Sequence, residues 1–205
     1  MPTPLTSAGE RDAFVAKYAG ANGGHLWSKR LGNTSVDEGA GIAVNAAGDV
    51  AVTGSFVGSV DFGGGPLTPP SAGSDVFAVV YSSLGAHRWS KRLGGTNGDS
   101  GRSVAIDGNG NVTVTGAFQG AVDFGGGALT SAGSFDIFVA QYRGSDGQHV
   151  WSRRFGGTGN DRCQSVASKA GSVLVTGYFP GTVNFGDGSR TSAGSNDIFL
   201  FSLLP

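Results

Sequence analysis

An internal repeat limits what this chain can fold into more than any other feature of its sequence. Successive tryptophans are 62 residues apart at both intervals, at Trp27, Trp89 and Trp151. The tripeptide Val-Thr-Gly recurs with nearly the same spacing, at 52–54, 114–116 and 175–177. Long periods of this kind indicate one supersecondary unit that is built several times, with neighbouring copies packed together to form the core.

Each repeat contains short segments whose composition is typical of β-strands. They are A (41–45 and 103–107), B (49–56, 111–118 and 172–179), C (12–18, 75–81, 136–142 and 197–203) and D (25–32, 87–94 and 149–156). All are rich in Val, Ile, Phe or Tyr and are bounded by Gly, Asn, Asp or Ser. None shows a sustained period of 3.6 residues, so the sequence predicts almost no helix.

Four antiparallel strands in one long repeat are typical of a β-propeller blade. A β-helix would have a much shorter coil of roughly 20–30 residues. The small residues Ala43, Ala105 and Ala167 suit A as the innermost strand, which places D outermost. We therefore predict an all-β fold: a β-propeller built from four-stranded antiparallel blades, about three blades per chain, with almost no helix. One domain would span residues 1–205, with incomplete terminal blades at 12–31 (C and D) and 165–203 (A, B and C).

The strand segments resemble those of the bacterial β-propeller repeat family of the SBBP type. The similar stretches are DAFVAKY, HLWSKRLG and GIAVNAAGDVAVTG with their copies, so the resemblance covers nearly the whole chain. The VDFGGG…LTSAG stretch lengthens the repeat relative to the shorter form of the family. The resemblance implies extracellular or cell-envelope proteins that bind partners or act as scaffolds, and it transfers no catalytic residue.

Composition argues against nucleic-acid and membrane partners. Charged residues make up 14% of the chain and the net charge is −1, so no global field attracts polyanions or anionic lipid. Basic pairs such as Lys29-Arg30 are interspersed with acidic residues and form no continuous stripe. No apolar run approaches the roughly 20 residues that span a bilayer. The opening MPTPLTSAG lacks the pattern of a signal peptide, although the family resemblance places the protein outside the cell or at its envelope.

The three histidines, His25, His87 and His149, occupy one register and raise the question of a metal site. With D outermost, each would lie about 14 Å outside strand A of its own blade. Zinc needs nitrogens at about 2.0–2.1 Å, so the histidines cannot share one ion. The single Cys163 excludes an intrachain disulfide, and no nucleophile–base pair is apparent beside it. We expect no metal, no cofactor, no catalytic residue and hence no enzyme.

Two polar positions recur in the connection from D to A. A threonine follows each tryptophan by seven residues and an aspartate follows it by ten: Thr34, Thr96, Thr158, Asp37, Asp99 and Asp161. In a propeller the D–A and B–C connections emerge on one face, which usually binds ligands. These six residues are the candidate ligand-binding set. In the alternative interpretation, the aspartates accept backbone N–H groups and hold glycine-rich loops in place.

These observations lead to two functional hypotheses. The first is a non-enzymatic binding propeller that recognises a carbohydrate, another polar ligand or a protein partner through the D–A and B–C loop face. The second is a purely structural module of a larger secreted or cell-surface propeller protein. Propellers typically have four to eight blades, so we also predict a homo-oligomer, a two-fold dimer that closes a six-bladed ring. A longer parent protein that supplies the remaining blades is the rival explanation.

Overall fold

Every regular element of the computed structural model is a β-strand, which confirms the all-β prediction. The structure describes residues 4–169 and 171–204. No helix among these residues could span a bilayer. The strands are, in chain order, β1 (Ala13–Tyr18), β2 (His25–Leu31), β3 (Glu38–Val44), β4 (Val50–Phe56), β5 (Val60–Asp61), β6 (Pro66–Leu67), β7 (Asp75–Tyr81), β8 (His87–Leu93), β9 (Ser100–Ile106), β10 (Val112–Phe118), β11 (Ala121–Asp123), β12 (Ala128–Thr130), β13 (Asp136–Tyr142), β14 (His149–Phe155), β15 (Arg162–Lys169), β16 (Ser172–Phe179), β17 (Thr182–Asn184), β18 (Ser189–Thr191) and β19 (Asp197–Leu203).

The long strands form four antiparallel sheets that follow one another along the chain. Sheet I is β1–β2, sheet II has the order β3-β4-β7-β8, sheet III the order β9-β10-β13-β14, and sheet IV the order β15-β16-β19. In sheets II and III this order reproduces segments A, B, C and D, so A and D lie at opposite edges. Sheet I contains a C and a D strand, and sheet IV contains A, B and C strands.

The B–C connections of sheets II, III and IV carry short hairpins, β5–β6, β11–β12 and β17–β18, that the sequence analysis did not predict. In the first hairpin, Asp61 Oδ1 accepts the N–H groups of Gly63 and Gly65 at 2.7 and 3.0 Å. Both glycines have positive φ, at 112° and 102°, which a side chain would strain. The buried ring of Phe62 stacks on Phe77 with 4.6 Å between centroids, so the hairpin folds back against its own sheet.

The inner strands of successive sheets approach so closely that glycine is required. A Cβ on Gly41 of β3 would lie 2.9 Å from the Cα of Ser103 in β9. A Cβ on Gly101 of β9 would lie 2.6 Å from the carbonyl oxygen of Gly54 in β4, the strand beside β3. The N–H of Val166 in β15 donates to Ser103 Oγ at 3.2 Å. The A strands of sheets II, III and IV therefore form one shared inner edge.

The hydrophobic core consists of layers between neighbouring sheets. Between sheets II and III, Val76, Ala78 and Val80 pack with Phe138 and Tyr142 in one cluster of buried residues. The C strands β7 and β13 are buried along their whole length because a sheet covers each of their faces. This is why their sequences are nearly continuous apolar runs rather than alternating ones.

The tryptophan of each D strand reaches toward the next sheet. Trp89 is 6% exposed, its ring lies 6.2 Å from that of Tyr142, and its Nε1 donates to the Gly144 carbonyl at 2.9 Å. Trp27 contacts Tyr81 in the same way but is only half-buried. Trp151, next to the incomplete sheet IV, is also half-buried. The ring is fully buried only at Trp89, which lies between the two complete sheets II and III.

The sheets at the two ends leave apolar faces exposed. Phe14 and Tyr18 of β1 point away from sheet II and are 70% and 58% exposed. Ile198 and Leu200 of β19 are 88% and 72% exposed on the opposite end. Each end sheet covers one neighbour only, and its second face has the composition of an interface.

The tryptophans provide the first testable prediction. Replacing Trp89 with Ala should lower the free energy of unfolding by about 3–5 kcal/mol, because a buried aromatic ring leaves a cavity. Trp151→Ala is the matched control and should cost clearly less, since its ring is already partly in solvent. Urea unfolding followed by circular dichroism measures both. Equal losses for the two variants would contradict this description of the interface.

Candidate functional site

Asp99 lies where the chain crosses from sheet II to sheet III, and it fastens three segments together. Its Oδ2 accepts the N–H of Gly95 at 2.8 Å, and its Oδ1 accepts the N–H of Gln119 at 3.0 Å. Its own N–H donates to the carbonyl of Ser74 at 2.7 Å. The side chain therefore ties the D–A loop to the residue after β10, and its backbone ties the loop to the residue before β7.

Asp37 makes the same contacts at the crossing from sheet I to sheet II. Its Oδ2 accepts the N–H of Asn33 at 2.7 Å, and its Oδ1 accepts the N–H of Val57 at 3.2 Å. Its N–H donates to the Arg11 carbonyl at 2.8 Å. Asp37 and Asp99 are both buried, so their carboxylates are used by the fold itself.

The third copy, Asp161, keeps only half of this arrangement. Its Oδ2 accepts the N–H of Gly157 at 2.9 Å, but its buried Oδ1 has no hydrogen-bond partner among the described residues. Pro180 stands where Val57 and Gln119 stand in the other copies, and proline has no N–H to donate. A single substitution thus explains the unpaired oxygen.

Burial changes the acidity of these carboxyl groups. Loss of solvation raises the pKa of Asp99 to about 6, against the opposing effect of the N–H groups of Gly95 and Gln119. Burial likewise raises the pKa of Asp161 to about 6, and it raises the pKa of Asp37 above its ordinary value. An elevated pKa in a cleft often marks a functional group, but here the carboxylates face backbone amides.

The recurring threonines lie on the surface of the same loops. Thr34, Thr96 and Thr158 are exposed, whereas the neighbouring aspartates are buried. A Cβ on Gly9 would lie 2.3 Å from the carbonyl carbon of Thr34, and one on Gly133 would lie 2.3 Å from that of Thr158. Each of these two D–A loops therefore touches the segment before the C strand of its own sheet, which in sheet III is the end of the B–C connection. The six sequence candidates divide into buried aspartates that fix loops and exposed threonines, with one pair at each crossing.

A polar cleft lies at the inner edge of the sheets. Its volume is about 370 Å³, and we call it the inner cleft; it is lined by Glu38, Gly39, Ala40, Ser55, Ser100, Gly101, Arg102 and Gln164. We call Asp37, Asp99 and Asp161 the crossing aspartates. Most residues of the inner cleft are among the first three residues of the inner strand that follows each of them, β3, β9 or β15. The crossing aspartates therefore hold the residues that line it.

Several positions that line the inner cleft carry different residues in successive repeats, although Gly39 and Gly101 are equivalent and identical. The residue three positions after the crossing aspartate is Ala40 in one repeat, Arg102 in the next and Gln164 in the third. Glu38 and Ser100 likewise follow directly after equivalent aspartates. Equivalent backbone positions thus present different chemical groups to one space, as recognition of an asymmetric ligand requires.

The charges around the inner cleft are unevenly distributed. Glu38 is paired with Arg11, with 3.0 Å between Oε1 and Nη1. Arg162 stacks over the ring of Phe135 at 3.8 Å; burial lowers its pKa, Tyr178 opposes this and the positive charge of Arg102 adds to it. Arg102 is exposed and makes no ion pair with the described residues. The cleft thus combines a free guanidinium, amide and hydroxyl groups, and one carboxylate.

His87, His149 and Cys163 pack against other parts of the fold, whereas His25 is exposed. The ring of His87 packs against Gly63 and Gly64, where a Cβ on Gly64 would lie 2.4 Å from the imidazole, and Nε2 bonds to Ser90 Oγ at 3.1 Å. Cys163 is buried, and loss of solvation raises the pKa of its thiol to about 11. Within the described residues no three His, Cys, Asp or Glu side chains are grouped to hold a metal ion.

A family comparison agrees with the strand pattern. The family described as "Beta-propeller repeat" (SBBP) matches residues 88–116, from β8 through the crossing at Asp99 to the end of Val-Thr-Gly in β10. The chain carries an SBBP-type β-propeller repeat. The match confirms the resemblance inferred from the sequence, and it centres on a stretch that holds Trp89, Asp99 and Arg102.

A curated relative extends the similarity over most of the chain. The chain is 30% identical over 176 residues to a protein named "Regulatory protein FlaEY" from Caulobacter vibrioides. The aligned part covers 82% of this chain but only 18% of that protein. The chain therefore corresponds to a small part of its relative.

The residues of the inner cleft escaped the sequence analysis because that analysis searched for recurring positions. In a chain of β-propeller repeats, recurrence marks what every repeat needs for folding, such as the crossing aspartate. The signal for the cleft is the opposite: disagreement between repeats at Ala40, Arg102 and Gln164, directly after a constant residue. An alignment of the repeats contains this signal.

The crossing aspartates provide the second prediction. Asp99→Ala leaves two half-buried N–H groups without a protein acceptor and should cost about 1–3 kcal/mol of unfolding free energy for each. Asp161→Ala is the matched control and should cost less, because it frees only the N–H of Gly157. Chemical denaturation at constant pH distinguishes them, and a larger loss for Asp161→Ala would contradict the assignment.

The raised pKa of Asp99 gives a third prediction. Its folded pKa of about 6 exceeds the ordinary value of 3.8, so its contribution to stability is fully present below 3.8 and is lost as the pH rises through about 6. The stability difference between the native chain and Asp99→Ala should therefore shrink between these pH values. It is measured by urea titration at a series of pH values. If the stability difference between the native chain and Asp99→Ala grew with pH, the raised pKa of Asp99 would be wrong.

Proposed function

We propose that this chain is part of a β-propeller with four-stranded blades that binds a polar ligand at the inner cleft and does no chemistry on it. The observation that carries the proposal is the set of unlike side chains at equivalent positions of successive inner strands. The recurring aspartates, by contrast, have a folding role in the contacts described above. Unlike side chains at equivalent positions that face one cleft are what a binding site in a repeat protein would show.

The composition of the cleft favours an oxygen-rich ligand that carries a negative charge. The Arg102 guanidinium presents several N–H donors in a planar fork suited to carboxylate or sulfate groups. Gln164 and Ser100 can donate to and accept from hydroxyl groups, and Glu38 accepts only. A glycan with an acidic substituent combines these features, so we take acidic carbohydrate as the first ligand class and a polar peptide as the second.

The proposal of a binding role without catalysis is supported by the way the acidic groups are used. Of the carboxyls with raised pKa, those of Asp37, Asp99 and Asp161 accept backbone N–H groups in loops. The fourth, that of Asp75, is paired with Arg92. The name of the Caulobacter vibrioides relative, a regulatory protein, is compatible with binding. We also propose that this activity lies outside the cell or at the cell envelope, a location that the family resemblance supports.

A scaffold role is the second candidate, and the exposed apolar faces favour it. Phe14, Tyr18, Ile198 and Leu200 have the composition of an interface between sheets. A module whose main task is to extend a larger propeller assembly would need these surfaces and no ligand. In that case the inner cleft would bind no ligand.

Binding to an immobilised array of neutral and acidic glycans tests the proposal. The native chain should bind acidic members, and Arg102→Ala should lose most of this signal. Arg143→Ala is the matched control, because Arg143 is an exposed arginine in the C–D turn on the opposite face, and it should bind normally. Equal loss in both variants, or no binding by the native chain, would contradict the glycan proposal and favour the scaffold role.

A further inference from the structure

The outer edge of β19 is an open groove. The strand pairs with β16 along one edge, and within the described residues no strand pairs with the other edge. A space of about 730 Å³ lies there, bordered by Phe185, Gly186, Asp187 and Arg153 as well as by β19 itself. We call it the β19 groove.

The corresponding place in sheets II and III is filled by a D strand. In sheet II, β8 runs along β7 in a register that extends from Val76↔Leu93 to Tyr81↔His87. Arg92 Nη1 donates to the buried carboxylate of Asp75 at 2.6 Å. The equivalent arginine and aspartate of sheet III form the same ion pair. Each D strand thus brings an arginine to the carboxylate at the start of its C strand.

The β19 groove presents the features to which a D strand binds. Asp197 stands at the position of Asp75, and it accepts the N–H of Ala193 at 2.8 Å without an ion pair to any described residue. Asp187 stands at the position of Gly64, beside which the imidazole of His87 lies in sheet II. The groove therefore has a carboxylate at each end of an apolar strand edge: Asp197 makes no ion pair with a described residue, and Asp187 is paired with the exposed Arg190.

Strand β2 has the matching pattern. It begins with His25 and carries Arg30 near its end, with Trp27 and Leu31 on its apolar side. In sheet I it is paired with β1 alone, and Arg30 Nε lies 3.6 Å from Asp12 Oδ2. The imidazole of His25 has no glycine hairpin to cover it and is exposed. Charge and apolar pattern are thus complementary between β2 and the β19 groove.

Strand β1 fills the place beside sheet II less well than β19 would. It contributes Ala13 and Val15 to that interface. The residues of β19 at the same positions are Ile198 and Leu200, which are larger and are now exposed. An exchange of β1 for β19 would bury more apolar surface, and burial of such surface is favourable.

The exposed side chains of β3, the inner strand of sheet II, also fit sheet IV of a second copy. Ile42 and Val44 of β3 are 61% and 63% exposed, because sheet I has no A or B strand beside them. Sheet IV has both of these strands. If sheet IV of one copy replaced β1 of another, it would cover β3 as well as the face of β7.

We propose that two copies of this chain exchange their β2 strands, each β2 pairing with β19 of the other copy. The register follows that of sheet II: Ile198↔Leu31, Phe199↔Arg30 and Leu200↔Lys29, with Asp197 bound to the partner's arginine. Strand β1 is displaced, and sheets II, III and IV of each copy form one closed ring of six sheets. The exchange rests on the open strand edge and not on the proposed ligand.

The mass of the chain in solution is the first test. Light scattering of the 205-residue chain should give twice the chain mass of 20.6 kDa. Dilution should yield the single-chain mass reversibly. A chain that stays monomeric at every concentration overturns the proposal and leaves the β19 groove to some other polypeptide.

Reversing the charges of Asp197 and Arg30 tests the proposed pairing of β2 with β19. Asp197→Arg should abolish the dimer by placing a guanidinium opposite Arg30, and the double variant Asp197→Arg, Arg30→Asp should restore it. Asp12→Arg is the matched control: it disturbs the partner of Arg30 in sheet I only, so the dimer should persist. Equal effects of Asp12→Arg and Asp197→Arg, or no rescue by the double variant, would contradict strand exchange.

A second variant tests whether the dimer can be lost while the chain still folds. Ile198→Lys changes a side chain that is 88% exposed in the single chain, so the far-ultraviolet circular dichroism spectrum of the monomer should be unchanged. The variant should nevertheless be monomeric, because a lysine cannot replace Ile198 against sheet II of the partner. A folded Ile198→Lys variant that dimerises normally would overturn the proposal.

Discussion

A buried carboxylate at each crossing between sheets fixes where the next inner strand begins. Asp99 accepts one N–H from its own loop and one from the residue after β10, while its backbone N–H bonds to the residue before β7. The inner cleft residues Ser100 and Arg102 come directly after it, so their positions follow from its contacts. The cost of burying this group appears as a pKa of about 6. The same group thus connects the loop, the spacing of the sheets and the shape of the cleft.

The strand content and the strand order could be predicted from the sequence because they depend on local signals that recur. Alternating Val, Ile and Phe with Gly and Asn boundaries give the strands, and turns such as Asn45–Asp49 give tight hairpins. The hairpins that begin at Val60, Ala121 and Thr182 were missed, because strands of two or three residues carry too little periodicity to detect. Their anchor is a tertiary contact, the stacking of Phe62 on Phe77, which no local pattern encodes.

The candidate site was predicted only in part, and for a general reason. Thr34, Asp37 and their copies were chosen because they recur, and the structure shows the aspartates facing backbone amides rather than solvent. Whether a loop aspartate points inward depends on donors from a segment about twenty residues away, such as Gln119. Pro180 illustrates the point: one missing N–H changes the third copy, although Asp161 itself is unchanged. The inner cleft is formed by positions at which the repeats differ, and these were not weighed as candidates.

The central claim, that the crossing aspartate holds the loop and the following strand in place, is tested most directly by amide hydrogen exchange. In the native chain the N–H groups of Gly95 and Gln119 should be strongly protected, although both lie outside the strands. In Asp99→Ala these two amides should exchange much faster, while those of β7 and β13 stay protected. Unchanged protection of Gly95 and Gln119 in the variant would contradict the account.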